Sequence, residues 1–195
     1  RTMMKSLVDA GGEVKLINDA RTGASEGTGY RFTYVHSKYA VIDGNVTVIT
    51  SENWTESNMG SGTGNRGWGA IIESKGYAEY MRKIFLNDSS THYGDCMNLL
   101  SLYPEQSAYP GDLTYTGYGN YENTFTFTDC TVSPVLSPDN SYSALKSFIC
   151  SAETRVYAQQ MDISNSYMGL SGNSPISWMA DRAYEGVDGR FIIDL

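Results

Sequence analysis

Apolar residues recur along the chain at two spacings, which together predict an alternation of helices and strands. Helices are predicted where apolar residues fall three or four apart, at residues 2–10, 75–86, 141–150 and 175–185. Strands are predicted at shorter apolar or alternating runs, at residues 13–18, 39–43, 46–50, 68–73, 124–128, 154–161 and 189–195. Because helices and strands alternate, we expect an α/β fold with a mostly parallel or mixed sheet flanked by helices.

A tight turn is predicted between two of these strands. Asp43, Gly44 and Asn45 stand between the apolar runs on either side. Asp-Gly is a strong hairpin signal because both residues tolerate the positive φ angles that a tight hairpin turn needs. We therefore expect residues 39–50 to form a β-hairpin.

The periodic pattern disappears in the middle of the chain. Between residues 87 and 121, Tyr, Gly, Pro, Ser and Asn dominate, and no helical or strand spacing lasts. We interpret residues 89–130 as a linker or a long excursion. This interpretation divides the chain into a first part, residues 1–88, and a second part, residues 131–195.

The excess of acidic over basic residues argues against some classes of binding partner. The chain of 195 residues has 14 basic and 22 acidic side chains, a formal net charge of -8. That balance argues against broad, sequence-independent nucleic-acid binding and against electrostatic docking on anionic membranes, although a local basic patch can exist on an acidic protein. The 15 tyrosines and the abundance of Gly, Ser, Thr and Asn favour an extracellular or cell-surface protein.

Targeting and membrane signals are absent from the sequence. No apolar run approaches the ~20 residues that a membrane-spanning helix needs. No signal peptide is visible, and the chain opens inside a predicted helix without a Met. We therefore interpret the start as a cut within a longer protein.

Three cysteines, Cys96, Cys130 and Cys150, leave two redox states open. Cys96 and Cys130 flank the irregular stretch and can close it by a disulfide in an oxidising compartment. Alternatively, all three are buried free thiols. The chain has no Cys-x-x-Cys spacing and only two histidines, His36 and His92, so we expect no metal site and no cofactor.

Four polar residues near the hairpin have the side chains needed to hold and attack a phosphate. His36 and Lys38 are two residues apart, and Ser51 and Asn53 repeat that spacing beyond the hairpin. Residues two apart on an extended backbone point to the same face, so the four side chains can converge. An imidazole can form a covalent phosphoryl intermediate, while an ammonium and an amide stabilise charge on the phosphate oxygens.

The spacing of these residues resembles the signature of the phospholipase D superfamily: His-x-Lys, four residues, Asp, six residues, then Gly-Ser-x-Asn. Here the signature consists of His36, Lys38, Asp43, Thr50, Ser51 and Asn53, with Thr50 at the position that is usually glycine. The resemblance implies a metal-independent phosphodiesterase that hydrolyses or transfers a phosphodiester through a phosphohistidine intermediate. His36 would be the nucleophile, and Lys38 and Asn53 would stabilise the charge on the phosphate.

The sequence leaves open both the substrate of the predicted enzyme and whether the chain is catalytic at all. The acidic balance favours a phospholipid or another small diester as the substrate, and a nuclease is the alternative. A non-catalytic anion-binding or structural module that retains the signature is a second class of function. The feature that favours it is the missing second signature, since His92 has no lysine two residues later.

Three further residues are predicted to take part from their positions. Residues 68–73 resemble the strand that follows the signature, and Glu73 resembles the carboxylate that holds the nucleophilic histidine. The resemblance implies a hydrogen bond from His36 to Glu73, directly or through one water; the alternative is an exposed strand-end glutamate. Trp54 and Trp178 can line a substrate groove or pack in a core.

The two parts of the chain resemble different halves of a superfamily module. Residues 1–88 resemble the signature-bearing half of one module, and residues 131–195 resemble the opening half of a second. Members build one active site from two signatures, so this chain would supply half a site. The other signature would come from a missing region or from another copy of the chain in a homodimer. We also expect the two parts to pair in one central sheet, either within a chain or by exchange between two chains, formed by the strands predicted at residues 39–43, 46–50, 68–73, 154–161 and 190–194.

Overall fold

A computed structural model describes residues 2–17, 31–55, 58, 67–108, 110–111, 126–160 and 174–193. The chain divides into two compact units, Arg1–Gly117 and Tyr118–Leu195. The Gly/Ser-rich stretch at residues 60–64 and the first half of the strand predicted at 124–128 lie outside the described residues. None of the helices in the described ranges is both long and apolar enough to cross a membrane.

The first unit contains two small antiparallel sheets and three α-helices among its described residues. Its elements are α1 (Thr2–Asp9), β1 (Lys15–Ile17), β2 (Tyr39–Ile42), β3 (Val46–Thr50), β4 (Gly69–Glu73), α2 (Lys75–Asp88), a 3₁₀ helix (Thr91–Tyr93), β5 (Cys96–Asn98) and α3 (Leu99–Leu102). One sheet has the order β2-β3-β4, and the other pairs β1 with β5. Helix α2 begins at Ser74, whose hydroxyl accepts a hydrogen bond from the Tyr77 N–H, and packs on β2 and β3.

The predicted hairpin is confirmed in β2 and β3. Asp43 and Gly44 have φ angles of 51° and 66°, and the Asn45 N–H donates to the Ile42 carbonyl oxygen over 3.0 Å. Two consecutive positive φ angles are the geometry of a type I′ turn, whose twist matches that of the flanking strands. A turn this short can join only antiparallel strands.

The three-stranded sheet buries one polar residue without a partner. Thr47 in β3 is 0% exposed, and its hydroxyl has no hydrogen-bond partner among the described residues. We expect Thr47→Val to raise the free energy of unfolding by about 1 kcal/mol, because valine keeps the shape and removes an unpaired buried hydroxyl. Urea unfolding checks this, with the exposed Thr91→Val as the control. A loss of stability in Thr47→Val would contradict the prediction.

The interpretation of residues 89–130 as a linker is wrong for its first part. Residues 91–102 contain the 3₁₀ helix, β5 and α3, and Cys96 and Leu99 are buried in the first unit. Asp95 is 1% exposed and accepts hydrogen bonds from the Arg31 backbone N–H (3.1 Å) and from Arg31 Nε (2.7 Å). These elements span three or four residues each, which is too short for a periodic pattern, and they depend on pairing with the distant β1.

Two helices cover one parallel strand pair in the second unit. The elements are α4 (Ser141–Cys150), β6 (Arg155–Gln160), α5 (Pro175–Tyr184) and β7 (Asp188–Ile193), and β6 pairs with β7 in parallel. Helix α5 begins with a capping box between Ser174 and Ser177. Ile149, Trp178 and Met179 form the buried core between the helices and the sheet.

The sheets differ from the prediction in two ways. The fold is a mixed α/β fold, but only the β6–β7 pair is parallel, and the other sheets of the described residues are antiparallel. The predicted single sheet is not formed within the described part of this chain, because β2-β3-β4 and β6-β7 are separate sheets. Its formation by exchange between two chains stays a prediction. Residues 126–128 of the strand predicted at 124–128 are not in a strand. The order of helices and strands along the sequence, on which the prediction rested, does not show whether the strands form one sheet or several.

All three cysteines are free thiols in this structure. Cys96 is buried, whereas Cys130 and Cys150 are exposed. Burial raises the pKa of the Cys96 thiol, and the neighbouring Lys15 opposes this shift. The exposure of Cys130 and Cys150 contradicts the alternative in which all three thiols are buried.

Candidate functional site

At one end of the three-stranded sheet, backbone hydrogen bonds between neighbouring segments continue beyond the last residues of the strands. The Thr50 N–H donates to the Lys38 carbonyl oxygen over 3.0 Å, and the Ser51 N–H donates to the Trp68 carbonyl oxygen over 2.9 Å. We call this side, marked by Lys38, Thr50 and Gly69, the site end of the sheet. A Cβ atom on Gly69 would come within 2.8 Å of the Ile49 carbonyl oxygen, so only glycine allows this close approach of β3 and β4.

An open pocket of about 300 Å³ lies at the site end. It is lined by Val35, His36, Ser37, Lys38, Tyr39, Asn53 and Trp54. The two arms of the signature, His36 with Lys38 and then Asn53, thus meet in one concave surface although up to 17 positions of sequence separate them. The antiparallel hairpin explains the meeting, because it folds residue 50 back beside residue 38.

His36 and Lys38 contact each other directly. Lys38 Nζ lies 2.8 Å from His36 Nδ1 and donates to the His36 carbonyl oxygen over 2.6 Å. An ammonium group only donates, so Nδ1 accepts in this contact. Desolvation lowers the pKa of Lys38, and the charge of Glu52 opposes that shift. The pair therefore presents a cation and an imidazole to the pocket.

Tyr39 also lines the pocket. Burial raises the pKa of its phenol to about 12, with the negative charge of Asp88 adding to the shift. Tyr39 therefore keeps its proton across the physiological range.

Thr50, which stands where the superfamily signature usually has glycine, orders the turn that leads into the pocket. Its hydroxyl accepts a hydrogen bond from Trp54 Nε1 (3.1 Å) and donates one to the Glu52 carbonyl oxygen (3.2 Å). The departure from glycine thus places a hydroxyl that holds the tryptophan after Asn53. Trp54 lines the pocket, whereas Trp178 is 3% exposed in the core of the second unit, so the two tryptophans take the two roles that the sequence left open.

Two predicted site residues have structural positions instead. Ser51 does not line the pocket; its hydroxyl accepts from the Trp68 N–H (3.0 Å) and lies 3.3 Å from the Trp68 carbonyl oxygen, which joins the site end of β3 to the chain entering β4. Asp43 lies in the hairpin turn, at the opposite end of β2 from Lys38. The signature spacing therefore includes residues that shape the sheet as well as residues that reach the pocket.

The prediction that Glu73 holds His36 is wrong. Glu73 is exposed and pairs with Val46, four residues along β4 from Gly69 at the site end. At about 3.4 Å per residue, that distance is about 14 Å, too long for a hydrogen bond through one water. The physical reason is the direction of β4, which starts at the site end and carries its last residue away from it.

Glu52 is the carboxylate that the sequence analysis missed. Its charge acts on Lys38, and its side chain lies over Gly67, where an added Cβ would overlap it. Glu52 occupies the variable position between Ser51 and Asn53, so no motif points to it. The one sequence signal for Glu52 is its position directly before Asn53. Successive side chains of an extended chain alternate in direction, so Glu52 is expected to point away from the pocket that Asn53 lines.

The described part of the chain contains no cluster of side chains suited to bind a metal ion. No group of three or more His, Cys, Asp or Glu side chains among those residues is placed to hold a metal ion. The lining residues His36, Lys38 and Asn53 carry an imidazole, an ammonium and an amide, which suit an anion with several oxygen atoms.

Comparison with known proteins places the pocket inside one family. A family model described as cardiolipin synthase, PLD-like domain, matches residues 1–89, where PLD stands for phospholipase D. The matched segment contains every residue that lines the pocket. No curated protein matches the chain, and no solved structure matches it.

Proposed function

Because residues 1–89 are a phospholipase D-like domain, we propose that this chain supplies half of the active site of a phosphodiesterase. The observation that carries the proposal is the meeting of His36, Lys38 and Asn53 in one pocket. The reaction is the hydrolysis or transfer of a phosphodiester through a phosphohistidine intermediate. No step of this reaction needs a metal ion or an organic cofactor.

The Lys38–His36 contact gives the order of events at the site. Oxygen atoms of an anionic phosphate accept hydrogen bonds more strongly than a neutral imidazole nitrogen does. A phosphodiester that enters the pocket therefore draws the Lys38 ammonium away from His36 Nδ1, which frees the imidazole to attack. Lys38 and Asn53 then stabilise the negative charge on the non-bridging oxygens as the transition state forms.

The chemical step exchanges one bond to phosphorus for another. A ring nitrogen of His36 bonds to phosphorus while the bond from phosphorus to one ester oxygen breaks, and a general acid protonates the departing alkoxide. Water, or a second alcohol in a transfer reaction, then displaces the phosphoryl group from His36 and restores the imidazole.

The general acid comes from a second signature in this proposal. The sequence contains one His-x-Lys pair, so the second histidine belongs to another copy of the chain or to a further region of the protein. A homodimer in which two copies of His36 face one phosphorus atom provides both groups. The resemblance of residues 131–195 to an opening half stays a prediction and supports the second arrangement, a longer protein with two modules.

A phospholipid is the favoured substrate, with a nucleic acid as the alternative. A chain with net charge -8 repels a polyanion more than it repels a single diester. The pocket is also small and has one lysine, whereas a nucleic-acid groove needs several cations along the backbone.

The decisive test is turnover of a generic diester, bis(p-nitrophenyl) phosphate, in the presence of EDTA. Release of p-nitrophenol that persists in EDTA is expected from the dimer or from a longer chain with two signatures. Binding of diesters without turnover in both preparations would favour the second candidate, a non-catalytic anion-binding module. The single signature in this chain is the observation that favours that candidate.

Lys38→Ala is expected to lower kcat/KM by an amount equivalent to about 2–4 kcal/mol, because one charged contact to the transition state is lost. The pH profile provides an independent check. Since the pKa of Lys38 is lowered, activity should fall on the alkaline side at a pH below the usual lysine value. Lys38→Arg, which keeps its charge at all accessible pH values, should lose that alkaline decline. An unchanged alkaline limb in Lys38→Arg would show that another group causes it.

A further inference from the structure

One wall of the pocket is apolar, and this wall has no part in the chemistry described above. Val35 and Trp54 line the pocket beside the polar groups of His36, Lys38 and Asn53. Both apolar side chains are exposed, and Trp54 is 55% exposed. A phosphate needs only the polar groups, so the apolar wall has surface left to contact another part of a ligand.

The position of Trp54 is fixed by the chain rather than left to rotate. Its indole N–H donates to the Thr50 hydroxyl over 3.1 Å, and Thr50 is itself hydrogen-bonded to the Glu52 carbonyl oxygen. With the polar edge of the indole satisfied by Thr50, the rest of the ring offers apolar and π surface to the pocket. An exposed aromatic ring held in one orientation costs little conformational entropy when a ligand packs on it.

The residues proposed to bind the phosphate lie close to the apolar wall, both along the chain and in space. Asn53 and Trp54 are consecutive, and both line the same pocket. In a phosphodiester bound at Lys38 and Asn53, the two ester groups must leave the phosphorus atom within the pocket or at its mouth. A flat or apolar ester group is able to pack against Trp54, whereas a methyl group is too small to cover the ring.

We propose that Trp54 is a specificity-determining residue that selects phosphodiesters with a planar or apolar ester group next to phosphorus. The ligand class is a singly charged diester with one large apolar or aromatic substituent. The inference rests on the proposed function, because it places the phosphate of that ligand at Lys38 and Asn53. It adds a selection among diesters that the signature residues themselves do not make.

The test measures equilibrium binding, so that it does not depend on a second signature. Dimethyl phosphate and diphenyl phosphate carry the same charge and differ only in their ester groups. Each is titrated into the protein at constant ionic strength, and the dissociation constants are taken from NMR chemical shifts. We expect diphenyl phosphate to bind the wild type about tenfold more tightly, which corresponds to about 1.4 kcal/mol.

Variants locate the source of this preference. Trp54→Ala should remove the tenfold preference by lowering the affinity for diphenyl phosphate much more than the affinity for dimethyl phosphate. Trp54→Phe keeps a ring and should retain part of the preference, and Thr50→Val should reduce it by releasing the indole. The matched control is Trp68→Ala, which removes a tryptophan that is 71% exposed and does not line the pocket. This control should keep the full preference.

Each failure has its own meaning. If dimethyl and diphenyl phosphate bind the wild type equally well, or if Trp54→Ala and Thr50→Val both keep the preference, the role of Trp54 is overturned while the anion site stands. If neither diester binds the wild type, the proposed function fails, and the inference that rests on it fails with it. If Trp68→Ala removes the preference as fully as Trp54→Ala does, the selection is not made by the pocket wall.

Discussion

Replacing His36 by alanine or asparagine is expected to reduce phosphodiester turnover at least about a thousandfold, because His36 is the proposed nucleophile that bonds to phosphorus. His36 is exposed and lines the pocket, so its removal should leave the fold and the thermal unfolding unchanged. The measurement is turnover of bis(p-nitrophenyl) phosphate by the active preparation. Retention of more than a few per cent of the wild-type rate would exclude His36 as the nucleophile.

The other histidine provides a matched control. His92 is exposed in the 3₁₀ helix and does not line the pocket. His92→Ala should therefore keep the full rate. A trapped intermediate gives a second readout: wild-type protein quenched during turnover should carry a phosphoryl label that is acid-labile and alkali-stable, as phosphohistidine is. The label should be absent from His36→Ala and present in His92→Ala.

Asp95→Ala is expected to destabilise the first unit by about 3–5 kcal/mol, the usual cost of removing one partner from a buried ion pair. Arg31 contacts Asp95 through its backbone N–H and its Nε, and the rest of the guanidinium donates to the carbonyl oxygens of Asn87 and Asp88 at the end of α2. The Asp95 hydrogen bond raises the pKa of Arg31. Loss of the carboxylate therefore leaves a largely buried cation without its counter-charge.

The same ion pair links the site to the segment first interpreted as a linker. Arg31 lies five residues before His36, so the chain that enters the pocket is anchored at Asp95. We expect Asp95→Ala to weaken diester binding as well as folding, and Asp95→Asn to have an intermediate effect because its amide oxygen still accepts from Arg31. Chemical unfolding provides the measurement. Glu79→Ala, which removes the exposed Lys75–Glu79 pair, should cost about 0–1 kcal/mol. Equal losses in Asp95→Ala and Glu79→Ala would show that the buried pair contributes nothing special.

Local spacing predicted the parts of the protein that depend on neighbours in sequence. The helices at residues 75–88 and 141–150 follow from apolar residues three and four apart, and the hairpin follows from Asp43 and Gly44. The meeting of His36, Lys38 and Asn53 in one pocket was also predicted, since residues two apart share a face of an extended chain. The family match over residues 1–89 confirms the resemblance on which that prediction drew.

Tertiary structure alone decided which of the predicted residues meet. Glu73 lies at the far end of the sheet because β4 starts at the site end and carries its last residue away from it, and this register cannot be read from spacing. The strand Cys96–Asn98 is too short for a pattern and exists through its pairing with β1. Sequence alone did not separate Trp54 from Trp178. A hydrogen bond to Thr50 holds Trp54 in the pocket wall, whereas Trp178 on α5 is buried in the core between the helices and the β6–β7 sheet. The spacing of residues along the chain predicts which side chains share one face of a helix or strand. A functional site combines side chains from several elements, and only the packing and register of those elements determine which side chains meet.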